Sequence, residues 1–247
     1  MNLRFFFLGW CLLASMAVPA KGGVPNDANQ VLVAIAKDWD RDKALLWALN
    51  RTPDGWVSAF GEPIEVLLGR NGLAWGRGVE PAKAPSDRVK REGDRRTPAG
   101  VFKVGKIYGE AAQLPGGSSY PYRQIGRWDA WVDDLKNPYY NQHYVAKPGK
   151  VPPWFEKQRM RLGDAAYEFL IEVRHNADPP VPGFGSAIFF HIRRGEDRPS
   201  SGCTVMTRSN LIKVIQWLRA DAKPHYVILP KAEYDRYQAA WNLPAFR

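Results

Sequence analysis

Ser186-Ala187-Ile188-Phe189-Phe190-His191-Ile192, with Pro199-Ser200-Ser201-Gly202-Cys203-Thr204-Val205-Met206 after it, is the stretch on which the reading of this chain turns. Its first half is a nearly continuous apolar run of strand length, which predicts a strand buried on both faces. Period-two geometry puts Ile188, Phe190 and Ile192 on one face and Ala187, Phe189, His191 and Arg193 on the other. His191 falls near the end of that strand. A polar loop, R-G-E-D-R-P-S-S-G, then leads to Cys203, twelve positions further along.

A thiol near its intrinsic pKa is mostly protonated at neutral pH, and a nearby imidazole converts it to the thiolate that attacks acyl carbons. His191 on a rigid strand and Cys203 on the following loop meet that need as base and nucleophile. Gly202 permits a tight turn beside the thiol. The amides of Gly202, Cys203 and Thr204 are then the candidates to receive an oxyanion. Spacing alone leaves a core histidine beside an inert thiol as the other reading. A papain-like order is disfavoured, because there the Cys precedes the His by more than a hundred residues. His143, His175 and His225 lack metal-site spacing with Cys203, so no metal and no cofactor are expected.

Around this segment the chain reads as mainly β. Val31 to Ala36 is a short β-branched run; Lys43 to Asn50 and Trp56 to Leu68 are strand-compatible, the latter broken by Gly61-Glu62-Pro63. Val101 to Tyr108 is a further strand. Tyr167, Phe169, Ile171 and Val173 alternate with polar residues and predict a half-buried one. Leu211 to Leu218 follows helical spacing, Tyr226 to Leu229 reads as a strand and Lys231 to Asn242 as a terminal helix. No period of 20 to 50 residues repeats, which excludes solenoids and propellers. Lys147 to Arg161, rich in Pro, Lys and Arg, reads as a long loop over the active face.

The chain has 247 residues, 45 % apolar and 24 % charged, enough for one full core. Arg4, the apolar run Phe5 to Val18 and a small-residue cleavage site predict a signal peptide over residues 1–20 and hence export to the periplasm or cell envelope. That run is shorter than the ~20 residues that span a bilayer, so no stable membrane span is expected after cleavage. Cys11 leaves with the signal, making Cys203 an unpaired thiol in an oxidising compartment. Residues 21–30 read as a flexible lead-in and 31–247 as one catalytic domain. The formal charge of +10 favours anionic polymers or membrane surfaces. The basic residues are scattered without a nucleic-acid-binding motif, so no nucleic acid partner is expected.

G-S-A-I-F-F-H-I with P-S-S-G-C-T-V-M resembles the His-loop-Ser/Thr-x-Gly-Cys signature of the L,D-transpeptidase (YkuD-domain) family. K-R-E-G-D-R-R-T-P-A-G-V-F, Lys90 to Phe102, and W-V-D-D, Trp131 to Asp134, followed by Tyr140-Asn141, resemble one branch of it. The resemblance runs from about Val31 to Pro230. It implies a single L,D-transpeptidase-like β-sandwich with a few short helices, with Cys203 as nucleophile, His191 as base and Gly202 adjoining the oxyanion site. It also implies a backbone carbonyl as the group that orients the imidazole. Ser201 stands where many members carry a second His, in the substrate-binding set, and Val205 where many carry Arg. The implied partner is a peptidoglycan stem peptide, with an amine on a second stem or surface protein as acceptor.

Other residues carry two readings each. Arg193 and Arg194 are placed to bind a stem carboxylate bidentately or are solvated at a strand end. Tyr140 and Asn141, with His143, line the substrate groove or serve the structure. His175 and His225 read as structural. The competing functions are a hydrolase, either L,D-carboxypeptidase or amidase, using the same dyad, and a catalytically inactive wall-binding module.

Overall fold

The computed structural model describes residues 23–79 and 88–245. The expected signal peptide, with Cys11, lies outside the described residues. Of the expected lead-in, residues 23–30 are tied down rather than flexible. The Val24 amide donates to Trp241 O at 3.0 Å, Arg51 Nε donates to Ala28 O at 2.7 Å, and both Val24 and Ala28 are buried.

Thirteen strands are described: β1 (Gln30–Ala36), β2 (Lys43–Thr52), β3 (Gly55–Ser58), β4 (Ile64–Leu67), β5 (Leu73–Trp75), β6 (Thr97–Gly109), β7 (Tyr122–Gln124), β8 (Asp129–Trp131), β9 (His143–Val145), β10 (Phe169–Val173), β11 (Phe189–Ile192), β12 (Thr204–Met206) and β13 (His225–Pro230). Three short α-helices accompany them, α1 (Phe155–Gln158), α2 (Arg208–Trp217) and α3 (Lys231–Tyr237). The protein is therefore mainly β, as its strand-length apolar runs predict. No helix of the described residues is long and apolar enough to cross a membrane.

Hydrogen bonding runs β1-β13-β6-β10-β11-β12-β4-β2, and β2 pairs back onto β1. The main sheet thus closes into a ring of eight strands, which replaces the expected sandwich of two separate sheets. Closure removes the two edges that an open sheet would leave to aggregate. β1 is bonded on both sides, parallel to β13 and antiparallel to β2, which accounts for its unbroken apolar sequence. Inside the ring Leu32, Phe102, Ile107, Ile171, Phe190 and Tyr226 form one buried cluster, and α2 packs Leu211, Val214 and Ile215 onto it. Thr207 caps α2, its hydroxyl accepting from the Asn210 amide at 3.3 Å.

Several expected elements move. β6 starts at Thr97 instead of Val101, because Leu73–Trp75 pairs in parallel with Thr97–Ala99. β11 starts at Phe189 because Gly185 and Ala187 hold φ of 94° and 54°, outside extended geometry. β10 is buried throughout, including Glu172, whose carboxylate accepts from Arg174 and from the Lys106 amide. The terminal helix stops at Tyr237. Lys147 to Arg161 is not an unstructured loop: Phe155 of α1 is fully buried with Ala130 and Ala146, forming a small lobe with β8 and β9.

Candidate active site

The parallel pairing of β11 with β12 matches His191 to Val205. Cys203 lies two positions before Val205, so period two puts its side chain on the same face as His191. That face is the outer surface of the ring. There Cys203, Ala187 and Tyr167 pack on a second apolar cluster containing Tyr108, Leu170 and Phe189. Both Cys203 and His191 line one cavity of about 580 Å³, together with Ser201, Gly202, Tyr167 and Arg194.

His191 Nδ1 lies 2.9 Å from Ile192 O. A carbonyl only accepts, so Nδ1 carries the proton and Nε2 keeps its lone pair. Burial lowers the His191 pKa below its usual value, against the opposing pull of the Ile192 carbonyl, so the imidazole rests neutral. Tyr167 stacks on the ring, with centroids 6.3 Å apart and planes 22° off parallel. The Cys203 thiol donates to Ala187 O at 3.4 Å. Burial pushes it up to about 11, opposed by a Phe189 backbone hydrogen bond and by Lys90. At rest the cavity thus holds a protonated thiol, bonded to Ala187 O, and a neutral base on the same face, and the thiolate has to form as it is used.

Gly202 has φ of 146°, and a Cβ there would sit 3.1 Å from Arg96 O and 3.3 Å from Ile188 Cδ1. Only glycine fits this conformation without strain. Its amide donates to Ser200 Oγ at 3.0 Å, while that hydroxyl donates to Cys203 O at 2.6 Å. The Gly202 amide is therefore engaged by the Ser200 hydroxyl in this structure. The Ser200 side chain braces the turn that presents the thiol.

Arg193 does not line the cavity; its guanidinium donates to Glu196 O at 3.3 Å. Arg194 does, but both of its terminal nitrogens grip the Asp164 carboxylate at 2.9 and 2.6 Å. Tyr140 and Asn141 stand behind the cavity wall. Tyr140, buried, donates to Glu92 Oε2 at 2.5 Å, and burial with that carboxylate raises its pKa. Asn141 Nδ2 donates to the carbonyls of His175 and Asn176, and its Oδ1 accepts from Trp131 Nε1 and from the Ala187 amide. Every hydrogen-bonding atom of that side chain is taken, which makes it a brace for Ala187 instead of a groove residue.

The K-R-E-G-D stretch is likewise a brace. Asp94 accepts from Lys90 Nζ at 2.6 Å, from the Arg91 amide at 2.7 Å and from the Arg96 amide at 2.9 Å. This fixes Lys90, which is buried, at the edge of the cavity. His175 and His225 are buried as expected of structural residues, and His143 bonds Asp129 at 2.8 Å away from this cavity.

The family model YkuD, the L,D-transpeptidase catalytic domain, matches residues 50–227. The chain belongs to the L,D-transpeptidase (YkuD-domain) family. No curated protein and no solved structure matches it. The matched span holds every residue of the 580 Å³ cavity, so the L,D-transpeptidase-family domain and the Cys203 cavity coincide. Within this domain Tyr167, Arg70, Arg95, Arg161 and Arg198 also line the cavity. Of these, only Arg95 falls inside a motif legible in the sequence, K-R-E-G-D-R-R-T-P-A-G-V-F. Tyr167 carries a weak signal, since it opens the alternating segment that leads into β10.

Proposed function

We propose that the protein is an exported cysteine acyltransferase of the bacterial cell wall, acting on peptidoglycan stem peptides through Cys203 and His191. The reading rests on one observation above all: His191, its Nδ1 held by Ile192 O, shares a face and a cavity with the described chain's free cysteine. In the attack, His191 Nε2 takes the thiol proton as sulfur bonds to the carbonyl carbon of the amide between the L- and D-centres of a tetrapeptide stem. The tetrahedral intermediate collapses, the C–N bond breaks, and the imidazolium returns the proton to the departing amine of the terminal D-residue. A thioester on Cys203 remains. An amine acceptor on a second stem or a surface protein then attacks it, giving its proton to His191, and the thiol is restored as the new amide forms.

A hydrolase differs only in using water as acceptor. Product masses from purified disaccharide-tetrapeptide separate the two. Cross-linked dimers or exchanged terminal residues are expected for the transferase; tripeptide with free D-residue as sole product would make it a carboxypeptidase. Export follows from the signal-like residues 1–20 and from the location of the proposed substrate.

A further inference from the structure

Six cationic residues but only two carboxylates line the Cys203 cavity. Two of the cations are neutralised: Lys90 by Asp94 and Arg194 by Asp164. The other four, Arg70, Arg95, Arg161 and Arg198, are exposed, and none has a salt-bridge partner among the described residues. The two carboxylates are Asp133 and Glu92, which accepts from Tyr140, so the four free arginines still outnumber them.

The backbone fixes where these arginines start. The Arg70 amide donates to Ser200 O at 3.0 Å and the Asn71 amide to Arg95 O at 3.1 Å. Gly69 bridges to Ser200, and Arg198 precedes that residue by two positions in the same loop. Arg70, Arg95 and Arg198 therefore rise from the wall that carries the nucleophile turn. Arg161 rises from another part of the lining, close to Tyr167, whose ring stacks on His191, and to Asp164, the carboxylate already held by Arg194. Four like charges around one cavity repel one another, and a low-dielectric cleft focuses their field on whatever enters. Guanidinium groups are also suited to planar anions, which they bind through two parallel hydrogen bonds.

We propose that Arg70, Arg95, Arg161 and Arg198 select an acyl donor bearing at least two free carboxylates, placed on either side of the scissile amide, and disfavour the same peptide with those carboxylates amidated. The inference rests on the acyl-transfer reading for the identity of the donor, but its charge requirement is tested by binding alone. The Cys203→Ala protein is titrated calorimetrically with a tetrapeptide stem carrying free carboxylates, with its amidated counterpart and with a glycerol-phosphate oligomer.

The free-acid stem is expected to bind at least tenfold more tightly than the amide. That preference should shrink towards unity in Arg70→Gln/Arg95→Gln and in Arg161→Gln, with melting temperatures unchanged because these side chains are exposed. Equal affinity for the two stems, a preference that survives these substitutions, or binding of the phosphate oligomer alone would overturn the inference. Acylation of the wild-type protein by the same stems is followed in parallel. A charge preference in binding without acyl-enzyme would contradict the acyl-transfer reading and leave the donor selectivity standing.

Discussion

Asn141 Oδ1 accepts the Ala187 amide at 3.0 Å, and the carbonyl of the same Ala187 accepts the Cys203 thiol at 3.4 Å. Ala187 is held at φ of 54°, a conformation that costs an alanine energy and persists only where its surroundings impose it. The nucleophile's resting place is thus set by a side chain that never enters the cavity.

Asn141→Ala should therefore harm both stability and reactivity. It leaves the Ala187 amide, the Trp131 indole N–H and two carbonyls without partners, and a loss of roughly 2–4 kcal/mol is expected from such buried unsatisfied groups. Chemical denaturation measures the stability loss. Acylation of the folded variant should be slower than wild type even in the absence of denaturant.

The protonation state of the dyad is checked by alkylation. With the thiol pushed up to about 11, iodoacetamide should modify Cys203 at pH 7 roughly two orders of magnitude more slowly than an ordinary exposed thiol. The rate should climb until about pH 11. A plateau already reached at pH 6 would mean a preformed thiolate–imidazolium pair instead. Because burial lowers the His191 pKa, the acid limb of acyl transfer should fall below pH 6.5, where His191 takes up a proton and ceases to be a base.

Gly202→Ala tests the turn. The added methyl meets the Arg96 carbonyl and Ile188 at a φ that L-residues rarely adopt, and about 1–3 kcal/mol of strain is expected. If the turn shifts to relieve it, the Ser200 bonds to the Gly202 amide and the Cys203 carbonyl break. Activity should then fall more than stability, as read by acylation rate against melting temperature.

Acid should destabilise the fold through its buried histidines. His175 is buried between the Arg77 amide and Phe184 O, and burial pulls its pKa down to about 3. Between pH 6.5 and about 3 the unfolded chain binds a proton there that the folded one refuses, so stability rises with pH across that window. His143 and His225 are lowered by burial in the same sense. Melting temperature should decline steadily below pH 6.5, and less steeply in a folded His175→Gln variant.

The β11 strand and its His191–Cys203 relationship were legible because they depend on local signals, namely period two, an apolar run of strand length and a glycine before the thiol. Ring closure was not. It depends on β1 accepting β2 along one edge and β13 along the other, and apolar runs do not record which neighbours they meet. Whether Arg194 is free to bind substrate was equally hidden, since the answer lies with Asp164, thirty positions away. Asn141 looks the same in sequence whether its amide faces a ligand or four backbone and side-chain partners. The lobe holding Phe155 leaves no mark in the sequence because its burial comes from the segments of β8 and β9, not from any periodicity of its own.

Cysteine acyl chemistry at Cys203 is tested most directly by intact-protein mass spectrometry after incubation with disaccharide-tetrapeptide. The wild-type protein should gain the mass of the stem less its terminal D-residue, and the adduct should map to Cys203 and disappear on thioester cleavage by hydroxylamine. Cys203→Ala should show neither adduct nor product while remaining folded. Undiminished turnover by Cys203→Ala would contradict the thiol mechanism.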